Sequence, residues 1–463
     1  MKKRILIVAF ALILCLSGCS LLPDFSPIIL EGEVIESEEA TKETKESNTP
    51  SSEESEASSE EPVEESKEEY VIDLFDEDWV DLPTGGENNP IREREIRVKE
   101  PDPIDDDPEA PGAEFVDLTE EDEPQEIQIM QSFLTGEWKD VNVVNRRNIA
   151  VMYPNDYRAG GNTAPKLQQF GLSKASIIYE APVEGRITAL MGIFEDYDNM
   201  SMLGPVGSSR DYFIYDAMSF DSIYVNWGMA RIWVQELINS ARIDNISAPV
   251  SGIAKPCEDC FYRDPDIVPD ASQDYNGYLD LTKLPEAIAD MGYNEDYRES
   301  FEQGFLFAND MLATYDDYRT VTKIWPGGTG MNSGGYGNFA EMNPHFEYDE
   351  DKHVYYRYQY GDVMRDSLNN KRVSVTNIVL KVCHGEERTP NEPKYDFLAF
   401  GVHGTGECYV FTNGKYIHGT WEKSSDASAD YLYDDNGNEI VLNQGKTWVC
   451  CVWKEYSDFI VME

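Results

Sequence analysis

The sequence predicts an α+β protein: an N-terminal mixed α/β-sheet domain at 141–330 and a mainly antiparallel β domain at 340–463, preceded by a disordered acidic tether. Three observations predict it. Charge is segregated: the 463 residues hold 88 Asp and Glu against 38 Lys and Arg, and residues 31–130 alone hold 37 against 7. Between Asn145 and residue 330, short apolar runs alternate with stretches of helical period. From Phe346 onward, β-branched and aromatic runs are punctuated by Gly and Asn turns. A net charge of −50 is unsuited to neutralising phosphate backbones, so nucleic acid is not an expected partner.

The N-terminus reads as a targeting segment. Met1-Lys2-Lys3-Arg4 leads into the apolar run Ile5–Leu16, too short for the ~20 residues of a spanning helix, and then into Ser17-Gly18-Cys19. Leu16-Ser17-Gly18-Cys19 has the form of a lipobox. Residues 1–19 are thus expected to be a lipoprotein signal, with Cys19 the acylated, palmitate-bearing first residue of the mature chain. Acyl chains contribute ~0.8 kcal/mol per buried methylene, so several of them hold a protein on the bilayer without a spanning helix. The expected place is the extracytoplasmic face of the cell membrane of a Gram-positive-type bacterium. Residues 20–140 are dense in Glu, Ser, Thr and Pro. They carry too little apolar surface to offset chain entropy, and like charges keep such a chain extended. The role expected of this linker is reach.

In the first domain, Arg147–Met152 is a short apolar run ending at Tyr153-Pro154, and Gln168–Ala175 reads as a turn or short helix. Ser176–Tyr179 and Arg186–Phe194 read as extended segments parted by a bend, because Pro182 cannot donate in a central ladder. Ser208 or Ser209 is the expected N-cap of a helix over Arg210–Phe220. After a strand at Ser222–Val225, the residues Met229, Ile232, Trp233, Leu237 and Ile238 mark one helical face, and Leu284–Met291 reads as a further helix. The Gly-rich stretch Pro326–Gly337 is the expected boundary. In the second domain, strands are expected at Val354–Tyr360, Arg372–Val382, Tyr395–Val402, Glu407–Thr412, Ile440–Leu442 and Thr447–Trp453. Asn413-Gly414 signals a hairpin into Lys415–Gly419.

Several of these segments resemble a known family. In the first half they are Arg147–Met152, Gln169–Ala175, Ile177–Glu180, Glu184–Thr188 and Gly204-Pro205-Val206-Gly207-Ser208-Ser209-Arg210. In the second half they are Tyr356-Arg357, Val375–Val379, Gly419-Thr420-Trp421 and Gly445-Lys446-Thr447-Trp448. Together they resemble the YerB-like (DUF3048) lipoproteins over about 145–463. The resemblance implies an extracytoplasmic lipoprotein with two domains and no settled activity. Gly207 stands where the family has Arg, Asn226 where a His is usual, and Val268–Asn276 lacks a Pro-His-Asn triplet. A His-dependent activity is therefore not expected of this chain.

The strongest candidate site, for ligand binding or catalysis, combines Glu180, Glu184, Arg186, Thr188, Ser208, Ser209 and Arg210. On one straight strand the even positions share a face, and Glu180 and Glu184 stand ~13 Å apart at ~3.3 Å per residue. Paired glycosidase carboxylates stand ~5–9.5 Å apart, so a bend at Pro182 would be needed to close the gap. Arg186 is within pairing reach of Glu184, and Arg210 with the two serines would add donors at a helix N-terminus. The competing reading is a structural ion-pair network joining strand to helix. Ser208 and Ser209 make no Gly-x-Ser-x-Gly elbow, because Asp211 takes the last place. The five His lack zinc-protease spacing.

Cys257-Glu258-Asp259-Cys260 is half of a zinc-ribbon signature without its second half. An even count of Cys outside the cell favours disulfides, 257–260 among them, with free buried thiols as the alternative. Strand alternation sends only one of Cys450 and Cys451 toward a core. Ser272-x-Asp274-x-Asn276-Gly277 has Lys283 where a calcium loop needs its bidentate Glu. No metal or cofactor is expected. The leading reading is a non-enzymatic binding or scaffold module at the cell envelope, engaging peptidoglycan or another envelope protein. The alternative is a cell-wall glycan hydrolase or lyase with Glu180 or Glu184 as acid/base.

Overall fold

The computed structural model describes residues 90–99, 127–156, 168–184, 187–268, 275–309, 312–329, 342–388 and 397–463. The signal segment with Cys19, most of the tether, Arg186 and residues 272–274 lie outside them.

A ten-stranded mixed sheet takes strands from both halves of the chain. In chain order they are β1 (Ile149–Asn155), β2 (Ile177–Val183), β3 (Ile187–Phe194), β4 (Ile223–Asn226), β5 (Asn245–Ser247), β6 (Asn377–Cys383), β7 (Gly404–Thr412), β8 (Lys415–Lys423), β9 (Tyr431–Asp434) and β10 (Thr447–Trp453). Across the sheet the order is β9-β8-β7-β6-β10-β2-β3-β1-β4-β5. The seam is β10. It runs parallel to both β6 and β2, with Cys450 opposite Leu380 on one side and Glu180 on the other.

The described residues are mostly strand with few helices, and the expected boundary near 330–340 does not divide this sheet. The physical reason is the composition of β10. Thr-Trp-Val-Cys-Cys-Val-Trp is apolar on both faces, and a strand of that kind is stable only inside a sheet covered on both sides. Such a sheet has two cores. One face carries Tyr179, Val379, Val410, Trp421 and Val449 and packs against helices α1 (Asp211–Met218) and α2 (Arg231–Ile238). The other carries Ile178, Leu190, Ile378 and Trp448. It packs against α3 (Leu284–Met291) and a second, antiparallel sheet that includes Lys323–Trp325, His345–Asp349 and Val354–Gln359.

Two cores explain several departures from expectation. Cys450 and Cys451 are both buried, one in each core, where a single core would have hidden only one. Pro182 sits inside β2, not at a bend between strands. It is tolerated there because β10 pairs with β2 only over 177–180. Helix α1 starts one residue later than expected, with Arg210 at the N-cap and no side chain capping it. In α2 the buried stripe is Val234, Leu237 and Ile238, while Ile232 is 63% exposed. Within the expected linker, Arg97–Lys99, Ile127–Gln131 and Trp138–Asp140 form a three-stranded antiparallel sheet, and Ile91 and Leu134 join the first core. The acidic average of that segment masked its apolar islands.

Other expectations match closely. Leu284–Met291 is helical with Gly292 left-handed behind it, and the hairpin at Asn413-Gly414 has positive φ at both residues, as a tight type I′ turn requires.

Because β10 supplies the middle of the sheet, residues 141–330 made alone are expected to show no cooperative unfolding transition in scanning calorimetry. Adding residues 340–463 is expected to restore it. A sharp transition from the first fragment alone would contradict the single-sheet architecture.

Candidate functional site

The register of β2 against β10 decides where Glu180 goes. With Cys450 directly opposite, the Glu180 side chain points into the face shared with the second sheet, alongside Trp448. It is fully buried there. Thr188 Oγ1 donates to it at 2.9 Å, Arg357 Nη2 at 2.8 Å and Trp448 Nε1 at 3.0 Å. Arg357 comes from Val354–Gln359 in the second sheet, and its guanidinium carbon lies 4.7 Å from the ring centroids of both Phe346 and Trp448. Charge, hydrogen bonds and aromatic faces thus fasten one sheet to the other through a single carboxylate.

Glu184 lies one residue beyond β2 and escapes its alternation. It accepts from Arg210 Nε at 3.1 Å, from Arg210 Nη2, and from the backbone N–H of Leu398 at 3.1 Å. Leu398 packs against the helix-covered core. The two carboxylates are therefore held by different arginines on opposite sides of the sheet. Glu180 and Thr188 share a side because β2 and β3 pair as antiparallel neighbours, not because 180–188 is one straight strand, and Arg186 lies outside the described residues. Ser209 is buried, with its hydroxyl 2.8 Å from that of Tyr224. Ser208 donates to the Trp227 carbonyl at 3.4 Å. Both serines fix the loop before α1 to the end of β4 instead of capping the helix.

Chemically, this arrangement joins strand to strand and strand to helix. A carboxylate with no exposed surface and a guanidinium at 2.8 Å has no path for exchanging a proton with a polymer outside the fold. Glu184 keeps some contact with water, but its oxygens are committed to Arg210 and a backbone donor.

Sequence reasoning missed two other constellations. Arg357 stood in the resemblance without a role, because nothing local pairs it with a residue 177 positions away. The second is a buried cluster beneath α1. Lys381 on β6 meets Asp430, with Asp216 from α1 and Lys423 from β8 beside them, all four buried. Its one sequence signal is a lysine inside the otherwise apolar run Ile378–Cys383. Burial pushes the Asp216 carboxyl up to about 6, against the pull of Lys381 and Lys423.

Elsewhere, Cys257 and Cys260 are joined in a disulfide on the wall of a groove of about 650 Å³, lined also by Glu258, Asp259, Glu286, Asp290 and Lys283. Cys383, Cys408, Cys450 and Cys451 are free and buried.

Comparison with known proteins fits this architecture. Residues 134–294 match the N-terminal domain, and residues 336–449 the C-terminal domain, of a family described as a protein of unknown function, DUF3048. The chain belongs to the DUF3048 family. A protein of Bacillus subtilis (strain 168), provisionally named lipoprotein YerB, is 24% identical over 328 residues, which is 70% of this chain and 87% of that protein. The crystal structure of YerB from Bacillus subtilis matches with a TM-score of 0.55 at 22% identity, over 72% of this chain and 99% of that one. The likeness is one of fold. The two family domains meet in the shared sheet, with β10 at their junction.

Breaking the buried pair from one side leaves an uncompensated charge. Arg357→Met or Glu180→Leu alone is expected to cost ~3–5 kcal/mol in denaturant titration, with the double variant recovering most of the loss. Glu184→Gln should cost only ~1 kcal/mol, since its pair is partly wet. A third expectation concerns His418, which hydrogen-bonds Asp435 through Nδ1 and Glu407 through Nε2. Burial works against its charged form, but these two carboxylates outweigh burial and raise its pKa. The stabilisation is therefore full below the unfolded value of ~6.5 and fades as pH rises through the folded value. His418→Gln should lower the melting temperature in mild acid and leave it unchanged in alkali.

Proposed function

We propose that this DUF3048 protein is a membrane-anchored lipoprotein that serves as a non-catalytic binding or scaffold module at the cell envelope. Cys19 is its acylated anchor, the acidic segment its tether, and peptidoglycan or another envelope protein its partner. One observation carries the non-catalytic reading: both candidate acid/base carboxylates are occupied by arginines on opposite sides of the sheet, so they share no cleft. The lipobox at Leu16–Cys19 supports the anchor, as does the name of the Bacillus subtilis relative. Among the described residues, no helix is long and apolar enough to cross a membrane.

The test uses the full chain purified from membranes and mixed with purified wall sacculi and with detergent-solubilised envelope proteins. Saturable retention on either one, with no release of soluble wall fragments, is the expected outcome. Release of fragments that stops in the Glu184→Gln variant would overturn the reading in favour of a wall-glycan hydrolase or lyase.

A further inference from the structure

The cluster beneath α1 has a geometry that an ordinary ion pair does not require. Lys381 Nζ lies 2.9 Å from Oδ1 and 2.7 Å from Oδ2 of Asp430. Contact with both oxygens places the carboxyl carbon within the ~3–3.5 Å of a near-attack pair. A second acid stands over the same nitrogen: Asp216 Oδ1 is 3.8 Å from Nζ and, among the described residues, has no hydrogen-bond partner. The Tyr179 hydroxyl donates to Asp430 Oδ2 at 3.2 Å, and the Trp421 ring centroid lies 4.8 Å from Nζ. Lys423 is held away from Asp430 by donating to the Tyr215 carbonyl at 2.6 Å and to the Ser219 hydroxyl. The surroundings are otherwise apolar, in the core that α1 and α2 cover.

We propose that Lys381 and Asp430 condense into an isopeptide amide, a covalent clip between β6 and the segment entering β9. A proton passes from the Lys381 ammonium to Asp430 along their hydrogen bond, leaving a neutral amine beside a neutral carboxyl group. Nζ then bonds to the carboxyl carbon. Tyr179 stabilises the charge that develops on Oδ2, which marks Oδ2 as the oxygen that stays. Asp216 takes a second proton from Nζ and delivers it to Oδ1, and the bond from carbon to Oδ1 breaks. The ammonium and carboxylate thus become one amide and one water, with no change in net charge and no oxidant or other reactant. A carboxyl lifted toward neutral pH by burial is suited to this relay. The driving force is physical as well. Condensation removes one buried charge of each sign from an apolar core, where each ion carries a heavy desolvation cost.

Peptide mapping of the denatured full chain decides the matter. Trypsin is expected to leave the bond after Lys381 uncut. It should yield one branched peptide joining residues 373–388 to residues 424–446, lighter than the two together by one water. Separate peptides of unaltered mass, with cleavage after Lys381, would overturn the proposal. Asp430→Ala should abolish the branched species, and its persistence would mean that a different residue is joined. Asp216→Asn, close in size to the native residue, should reduce the linked fraction at least tenfold. A linked fraction equal to that of the natural protein would remove Asp216 from the reaction.

Discussion

Burial of β10 between β6 and β2 is the constraint on which the rest of the structure depends. Because its seven residues are apolar on both faces, the strand needs a neighbour on each edge and a layer over each face. Its edges are met by strands from opposite halves of the chain. The faces of the sheet that contains it are covered by α1 and α2 on one side, and by the second sheet with α3 on the other. The register then places Cys450 beside Glu180 and brings Trp448 within hydrogen-bond reach of the same carboxylate. Arg357 completes the pair from the layer above. A glutamate that would look catalytic on an open strand becomes a fastening between two sheets.

The same logic accounts for the distribution of polar groups in the interior. Each face of the central sheet carries a heavily buried ionic assembly: Glu180 with Arg357 on one side, and Lys381 with Asp430 and Asp216 on the other. Asp366 plays a comparable part. It accepts from the backbone N–H groups of Gly171 and Ser173 and from the Ser173 hydroxyl, and so ties the turn before β2 to the second half of the chain. Groups that are costly to bury persist where they join segments distant in sequence, and removing one partner would strand the other.

Local structure was legible in the sequence where it has a local cause. The helix Leu284–Met291 shows its period and its terminal glycine, and Asn413-Gly414 shows its turn. The family resemblance was legible in short motifs that prove to sit at the seam, among them Gly445–Trp448 and Ile177–Glu180. What could not be read was pairing between distant strands. A single straight strand over 180–188 was the wrong premise: the chain reverses between β2 and β3, so Glu180 and Thr188 meet as neighbours on paired strands, Glu184 leaves the shared face, and nothing local pointed to Arg357. Lys381 was overlooked for a similar reason: a lone lysine in an apolar run reads as an irregularity until Asp430 and Asp216 are brought to it by the fold.

If both family domains share one cooperative sheet through β10, native-state hydrogen exchange reports it. Amides of β2, β6 and β10 are predicted to exchange only through global unfolding, with one common opening free energy and one denaturant dependence. Two separate opening free energies, one for β2 with β3 and another for β6 with β10, would contradict it.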